Sequence, residues 1–330
     1  MTSPLELFCA SLVMLALTAY VVLAGADFGG GVWDALAGGP EGKAQREAIA
    51  RAMGPVWETN HVWLIFAIVG TWTAFPTGFA AMFTLLAVPI VIALAGIVLR
   101  GGAFALRERA AELGRNHPGL SALFGATSVV APLFLGATIG ALASGHAGEP
   151  TAATDAWLQP FPVCVGVFAL CMCALLAATF LTLETEGELR DLFRERAITA
   201  WFATAIVGLI TLAVARTSAT TIFSALAQSH ALIPFVAALL TGLGTLAMLV
   251  WRRFAAARAF VVLQVTLVLW AWAVAQYPYV VVPTLTIAQA AAPQQTLQAF
   301  AIVACVGLAV LIPSLWYLFS VFKNQSTKVG

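Results

Sequence analysis

Charge is scarce in this sequence. Only 9% of its 330 residues are Asp, Glu, Lys or Arg, against about 25% in soluble domains, and 61% are apolar. A chain of this length could bury a large core in water, but its surface would still need charged groups. There are too few, which excludes an ordinary water-soluble domain. Period-two alternation of apolar and polar residues is also missing, so a membrane β-barrel is excluded. In lipid the backbone has to satisfy its own hydrogen bonds, and helices are what remains. Cysteine is sparse: Cys9, Cys164, Cys171, Cys173 and Cys305 all fall inside apolar runs, odd in number and without a Cys-x-x-Cys pair. They read as small buried residues rather than a disulfide framework or metal ligands. No basic run carries interleaved aromatics, which sets nucleic acid aside as a partner. A basic leader before the first apolar run is lacking too, so no cleavable signal segment is expected.

What is present is long apolar runs, at 7–35, 56–75, 78–100, 121–143, 161–183, 197–215, 231–251, 259–279 and 297–321. Each is about 20 residues or more, enough for a helix to cross a hydrocarbon layer of about 30 Å. Pro76 cannot continue the helix before it, so Pro76-Thr77-Gly78 is read as a tight turn between the second and third spans. The basic residues then fix the orientation. Lys43, Arg46 and Arg51 follow the first span; Arg100, Arg107, Arg109 and Arg115 the third; Arg190, Arg194 and Arg196 the fifth. Arg252, Arg253 and Arg258 follow the seventh, and Lys323 and Lys328 the ninth, leaving Arg216 alone on the other side. Cytoplasmic loops carry the Lys/Arg excess, so the amino terminus is expected outside and the carboxyl terminus in the cytoplasm. The expected fold is an all-α integral membrane protein of about nine transmembrane helices in a single membrane domain. A first four-helix half covers 1–149; a second half with one additional helix covers 150–330. The proline-bearing segment 277–293 is expected to lie along the outer membrane surface.

Polar groups inside such a chain are expensive and are functional candidates by default. Gly25-Ala26-Asp27-Phe28-Gly29-Gly30-Gly31-Val32-Trp33-Asp34 closes the first span. Its glycines permit close approach of neighbouring backbones, and Asp27 is a candidate buried proton carrier or ion-pair partner, against the alternative of an ordinary interfacial acid. Pro55-Val56-Trp57-Glu58-Thr59-Asn60-His61-Val62-Trp63 opens the second span. Glu58 and His61, three apart, share a helical face, and a carboxylate and an imidazole are the commonest proton-moving groups near neutral pH. Glu-x-x-His also occurs in di-iron bundles, but these need a second such pair, and His117, His146 and His230 have no Glu three residues before them. No metal or haem ligand set is therefore expected in this chain. Arg100, closing the third span, should lie at the depth of Glu58, with Asp27 a turn or two inside the same end. An ion-pair cluster is expected there, the alternative for Arg100 being a snorkelling anchor. Glu184, Glu186, Glu188 and Arg190 after the fifth span read as a solvated cap.

At these residues the sequence resembles subunit II of the cytochrome bd-type quinol oxidases. The resemblance runs through Asp27 with Gly29 and Gly31 in a glycine-rich first-helix motif, and through Trp57, Glu58, Asn60 and Trp63 in the second. It continues in Arg100 with Phe104 and Arg107, and in Glu188 with Arg190. Order and spacing fit nearly the whole chain. It departs where family members often carry a second acid, here Gly25; where Asp is usual, here Glu58; and where Gln or Glu is common, here His61.

The resemblance implies a haem-free subunit that stabilises a haem-bearing subunit I in the bacterial cytoplasmic membrane. Haems b and d and the quinol site would reside in that partner, with no cofactor bound by this chain. A small single-helix subunit is a further candidate partner, alongside membrane lipid. Asp27, Glu58, His61 and Arg100 would form a proton pathway or a buried ion-pair cluster; Gly29, Gly31, Trp57, Asn60, Trp63, Glu188 and Arg190 would be structural. A secondary transporter or ion channel is the alternative, marked by buried acids near the bilayer midplane. Here the acids gather at the cytoplasmic end instead.

Overall fold

The structure, a computed structural model, describes residues 2–113, 117–145 and 155–326. The helices follow from the sequence signals at their ends. α1 (Pro4–Ala35) opens on Ser3, whose hydroxyl accepts from the Glu6 N–H while the Glu6 carboxylate accepts from the Ser3 N–H; Pro4 takes the first helical position. Next come α2 (Gly42–Ala74), α3 (Pro76–Leu85), α4 (Ala87–Glu112) and α5 (Pro118–Ser144). A single 3₁₀ turn at Ala156–Leu158 leads into α6 (Pro160–Glu184), α7 (Gly187–Ser218), α8 (Thr220–Leu226), α9 (Ser229–Val250) and α10 (Phe254–Gln276). The chain closes with β1 (Tyr279–Val281), β2 (Leu285–Thr286), α11 (Ile287–Ala290) and α12 (Gln294–Ser326).

Among the described residues, eight helices are long and apolar enough to cross a membrane: α1, α4, α5, α6, α7, α9, α10 and α12. Counted as one span, the bent pair of Thr59–Ala74 in α2 with α3 brings the number up to nine. The chain is thus an all-α, multi-pass membrane protein. The second-to-third span connection differs from the expected tight turn. Proline ends α2 as anticipated, since Pro76 has no N–H to donate back, but it then starts α3, bent by 115°. The third crossing is therefore α4, beginning at Ala87 rather than at 78. Gly78 holds α3 in place, because a Cβ there would press on Ala290 and Val280 at 3.1 and 3.2 Å. The spans expected to begin at 56 and 197 belong to helices that start earlier, at Gly42 and Gly187. Hydropathy reads only the apolar part of each.

α1 lies at the centre, packed on α2, α5 and α6. α4 packs on α5; α6 packs on α5, α7 and α10; α9 packs on α10; and α12 touches α1 and α2. Ala16, Tyr20, Ala24, Phe28, Trp63, Ile97 and Ala131 form one core, and Leu175, Leu176, Leu181, Phe193, Leu249 and Val261 another. Contact between α1 and α6 is glycine-dependent. At Gly29 a Cβ would collide with the Cys173 carbonyl oxygen.

The two ends of the bundle are finished differently. At one end arginines answer the orphan carbonyls of helix C-termini. Arg190 Nε donates to the carbonyls of Thr185 (2.7 Å) and Thr182 (3.1 Å), and Arg194 Nε to that of Leu249 (2.7 Å). At the other end, residues 277–293, the segment expected along the outer surface, fold into the β1–β2 hairpin and α11. The Val282 N–H donates to the Leu142 carbonyl (3.2 Å) and the Ala292 N–H to that of Ala74 (2.9 Å), tying this cap to α5 and α2.

Candidate functional site

The site lies where α1, α2, α4 and α5 meet, at the arginine-rich end of the first core. Asp27 on α1 and Arg100 on α4 are each only 2% exposed. Arg100 Nη1 donates to Asp27 Oδ2 and Nη2 to Oδ1, both at 2.7 Å; Nη2 also reaches the Asp27 backbone carbonyl at 2.9 Å. This bidentate fork is the stronger geometry for a guanidinium and a carboxylate. The third Arg100 nitrogen, Nε, donates to Ser128 Oγ on α5 (2.9 Å), and Ser128 Oγ donates in turn to the Phe124 carbonyl (2.7 Å). Asn60 Nδ2 on α2 donates to Asp27 Oδ2 (3.2 Å). The Arg100 guanidinium also lies over the rings of Phe28 and Phe124, 5.4 and 4.6 Å from their centroids. A buried ion pair repays its desolvation only when its other hydrogen-bonding groups are satisfied as well. Here the two neighbouring helices α2 and α5, with the α1 backbone, supply most of them.

A second rung lies two turns further along both helices. Arg107 Nη1 donates to Asp34 Oδ1 at 2.8 Å, with Asp34 1% exposed and the Arg107 side chain 17% exposed. Seventy-three residues separate the partners in both rungs. Equal offsets with a spacing of seven arise between parallel helices, since seven residues return a side chain to nearly the same face. The Phe124 ring sits between the rungs, 4.5 Å from the Arg107 guanidinium carbon. Gly31 makes room for this arrangement, because a Cβ there would collide with the Ser128 side chain.

Of the residues singled out from the sequence, Asp27, Asn60 and Arg100 come together directly, and Gly29 and Gly31 set the distances of α6 and α5 from α1. Trp63 is buried in the core beside Ala67 and Phe28. His61, half-buried next to Asn60 on α2, is within electrostatic reach of Asp27. The backbone of α2 runs through Trp57 and Glu58, but their side chains lie outside the described residues. Glu188 is elsewhere, exposed in the first turn of α7, where an acid answers the helix dipole. Arg190 caps α6, as described above. Sequence reasoning missed Ser128 and Phe124. A serine or phenylalanine in a span is ordinary, and only their positions opposite Gly31 and Arg100 mark them. It also set Asp34 and Arg107 apart, although the repeat of seven from Asp27 to Asp34 and from Arg100 to Arg107 was available.

Residues 5–322 match the family described as cytochrome bd terminal oxidase subunit II. The chain is 27% identical over 190 residues to the cytochrome bd ubiquinol oxidase subunit 2 of Bacillus subtilis (strain 168), covering 56% of this chain and 55% of that one. It is 30% identical over 187 residues to the cytochrome bd-I ubiquinol oxidase subunit 2 of Escherichia coli (strain K12), covering 54% and 48%. The chain thus spans about half the length of the curated relatives it matches. Its fold is similar to that in the structure of bd oxidase from Geobacillus thermodenitrificans, with a TM-score of 0.82 at 24% identity, covering 97% of this chain and 99% of that one. With a family match across nearly its whole length, and with the acid, asparagine and arginine of the sequence motifs meeting in one buried site, this chain belongs to the cytochrome bd terminal oxidase subunit II family.

Proposed function

We propose that the chain is the haem-free subunit II of a bd-type quinol:oxygen oxidoreductase in the bacterial cytoplasmic membrane. It stabilises a haem-bearing subunit I and offers cytoplasmic protons a way towards the site of oxygen reduction. One observation carries this reading. The Asp27–Arg100 pair, with Asn60 and Ser128, joins four helices at the arginine-rich end of the bundle, the side that the loop charges of the sequence make the expected cytoplasmic one. Haems held by subunit I would supply the oxygen chemistry. In this chain, His117 and His230 are exposed at helix starts, leaving His61 as the one partly buried histidine among the described residues. That is a poor basis for a pair of axial ligands within the spans. The exposed apolar faces of α7, α9 and α12, which include Leu209, Ile233 and Val303, offer surface to lipid, to subunit I or to a small single-helix subunit. Charge sited at one end, together with family membership, speaks against the transporter or channel alternative.

The test is turnover per haem in the assembled complex. Glu58→Gln keeps size and hydrogen-bonding capacity but removes the ionisable proton. We expect normal assembly and haem content with most quinol-oxidase turnover lost, and a smaller loss in Glu58→Asp. Full turnover in Glu58→Gln would remove this residue from the proton route.

A further inference from the structure

A surface groove runs along α10 beside the end of α6, outside the Asp27–Arg100 site. Its volume of about 590 Å³ falls within the range of small-molecule pockets, about 300–1,000 Å³. Ala255, Ala259, Val262 and Leu263 line it from α10, and Phe180 is its aromatic wall on α6. Ala255, Ala259 and Leu263 are exposed, so no neighbouring helix of this chain covers them. The two alanines leave the space, because a methyl group stands little proud of a helix. Thr266 closes the inner end, and its hydroxyl already donates to the Val262 carbonyl at 2.9 Å. The groove is therefore apolar to an incoming molecule over most of its length. At its outer end stands Arg258.

The Arg258 guanidinium lies over the Phe180 ring, 5.7 Å from its centroid, and approaches Glu184 to 3.5 Å. A well-formed charged hydrogen bond is about 2.7–2.9 Å long, so this pair is loose, and both side chains are about half exposed. It contributes little and leaves the guanidinium fork open to another anion. Nearby arginines are committed elsewhere: Arg190 and Arg194 to helix-end carbonyls, and Arg252 to Asp191 at 2.8 Å. Arg253, exposed at the start of α10, adds a further cation, so positive charge outweighs Glu184 here. Arg258 immediately precedes the apolar run 259–279, the depth at which headgroups give way to hydrocarbon. From position 255 to 266 the groove follows α10 for roughly 16 Å, and the hydrocarbon of one leaflet is about 15 Å deep. α10 itself continues to Gln276, so the groove stops about half-way along it. A transmembrane helix would need the full height; an acyl chain needs one leaflet.

We propose that this groove is a binding site for one anionic phospholipid. The phosphate takes the open fork of Arg258, which can donate two parallel N–H bonds to phosphate oxygens. One acyl chain lies in the groove from Ala255 to Thr266, against Phe180 and Leu263. Basic clusters at the cytoplasmic surface attract anionic lipid, and the groove adds a shape that holds one molecule in one place. Glu184 beside the fork limits the negative charge the site accepts, which favours a singly charged headgroup such as that of phosphatidylglycerol. The site is independent of the proton route proposed above.

The test uses the complete oxidase complex in nanodiscs of phosphatidylglycerol and phosphatidylethanolamine in equal parts. Native mass spectrometry counts the lipids retained, and cryo-electron microscopy locates them. The unaltered complex should retain phosphatidylglycerol in preference, with headgroup density against Arg258 and chain density reaching Thr266. Arg258→Gln removes the charge and should lower retention of this lipid about fivefold, the share of one basic residue in binding an anionic surface. Ala259→Phe fills the groove while leaving Arg258 in place, and should abolish the chain density. Both positions are exposed, so each variant should assemble with normal haem content. Retention of phosphatidylethanolamine as good as that of phosphatidylglycerol would overturn the proposal. So would unchanged lipid in either variant, or a helix of another subunit seated in the groove.

Discussion

At the scale of the residue, the buried charge of Arg100 is the most consequential feature. Removing one partner of a buried pair leaves the other charge uncompensated and costs about 3–5 kcal/mol, whereas replacing both is often close to neutral. Asp27→Asn and Arg100→Gln should therefore each lower the thermal unfolding temperature of the detergent-solubilised complex sharply. The pair Asp27→Leu with Arg100→Met should recover much of that loss. If the double variant is as unstable as the singles, Asn60 and Ser128 carry more of the site than the ion pair does. Ser128→Ala leaves Arg100 Nε unsatisfied and should cost about 1–3 kcal/mol in the same measurement. The sequence shows why Asp27 and Arg100 share a depth, since both sit near the basic ends of their spans. It does not show that they face one another, because the rotation of α1 against α4 is fixed by packing on α5. Ser128 and Phe124 were illegible for the same reason, as contact across helices has no signature in one chain's order.

At the scale of the element, α1 is held between α5 and α6 by glycines rather than by large side chains. Gly29→Ala would drive its methyl group into the Cys173 backbone carbonyl, which cannot swing aside as a side chain could. Overpacking of this kind costs about 1–3 kcal/mol, so less assembled complex and an earlier melt are expected. Gly307→Ala on α12 is the control, because a Cβ there meets nothing within 4 Å. Equal effects of the two substitutions would mean that the α1–α6 approach is not what Gly29 serves. Element existence was largely readable from apolar runs, since lipid enforces length. The α2–α3 elbow was not. Pro76 signals a helix end, but whether the chain reverses or lies across the bundle depends on the β1–β2 cap and α11, residues some 200 positions later in the chain. The charged extensions of α2 and α7 escaped notice because hydropathy responds to the membrane rather than to the helix.

At the scale of the whole molecule, orientation can be measured directly. With the native cysteines replaced, Ser224→Cys on α8 should react with a membrane-impermeant maleimide from the expected outer side of the membrane. Arg253→Cys, between α9 and α10, should react only after that membrane is opened. The reverse pattern would invert every assignment of side made here. The seventy-three residues between Asp27 and Arg100 also have a meaning in time. At about 5–20 residues per second, the ribosome delivers Arg100 roughly 4–15 seconds after Asp27. Through that interval α1 is in or near lipid with an acid that lacks its counter-charge. Asn60, only thirty-three residues behind, is the first donor to arrive, and Ser128 follows Arg100 after twenty-eight more. The α1–α2 hairpin is therefore the earliest shelter the acid can find. The site is completed in the order of synthesis: α2 and then α4 bring donors to a carboxylate already waiting in the membrane, and α5 brings the hydroxyl that accepts from Arg100.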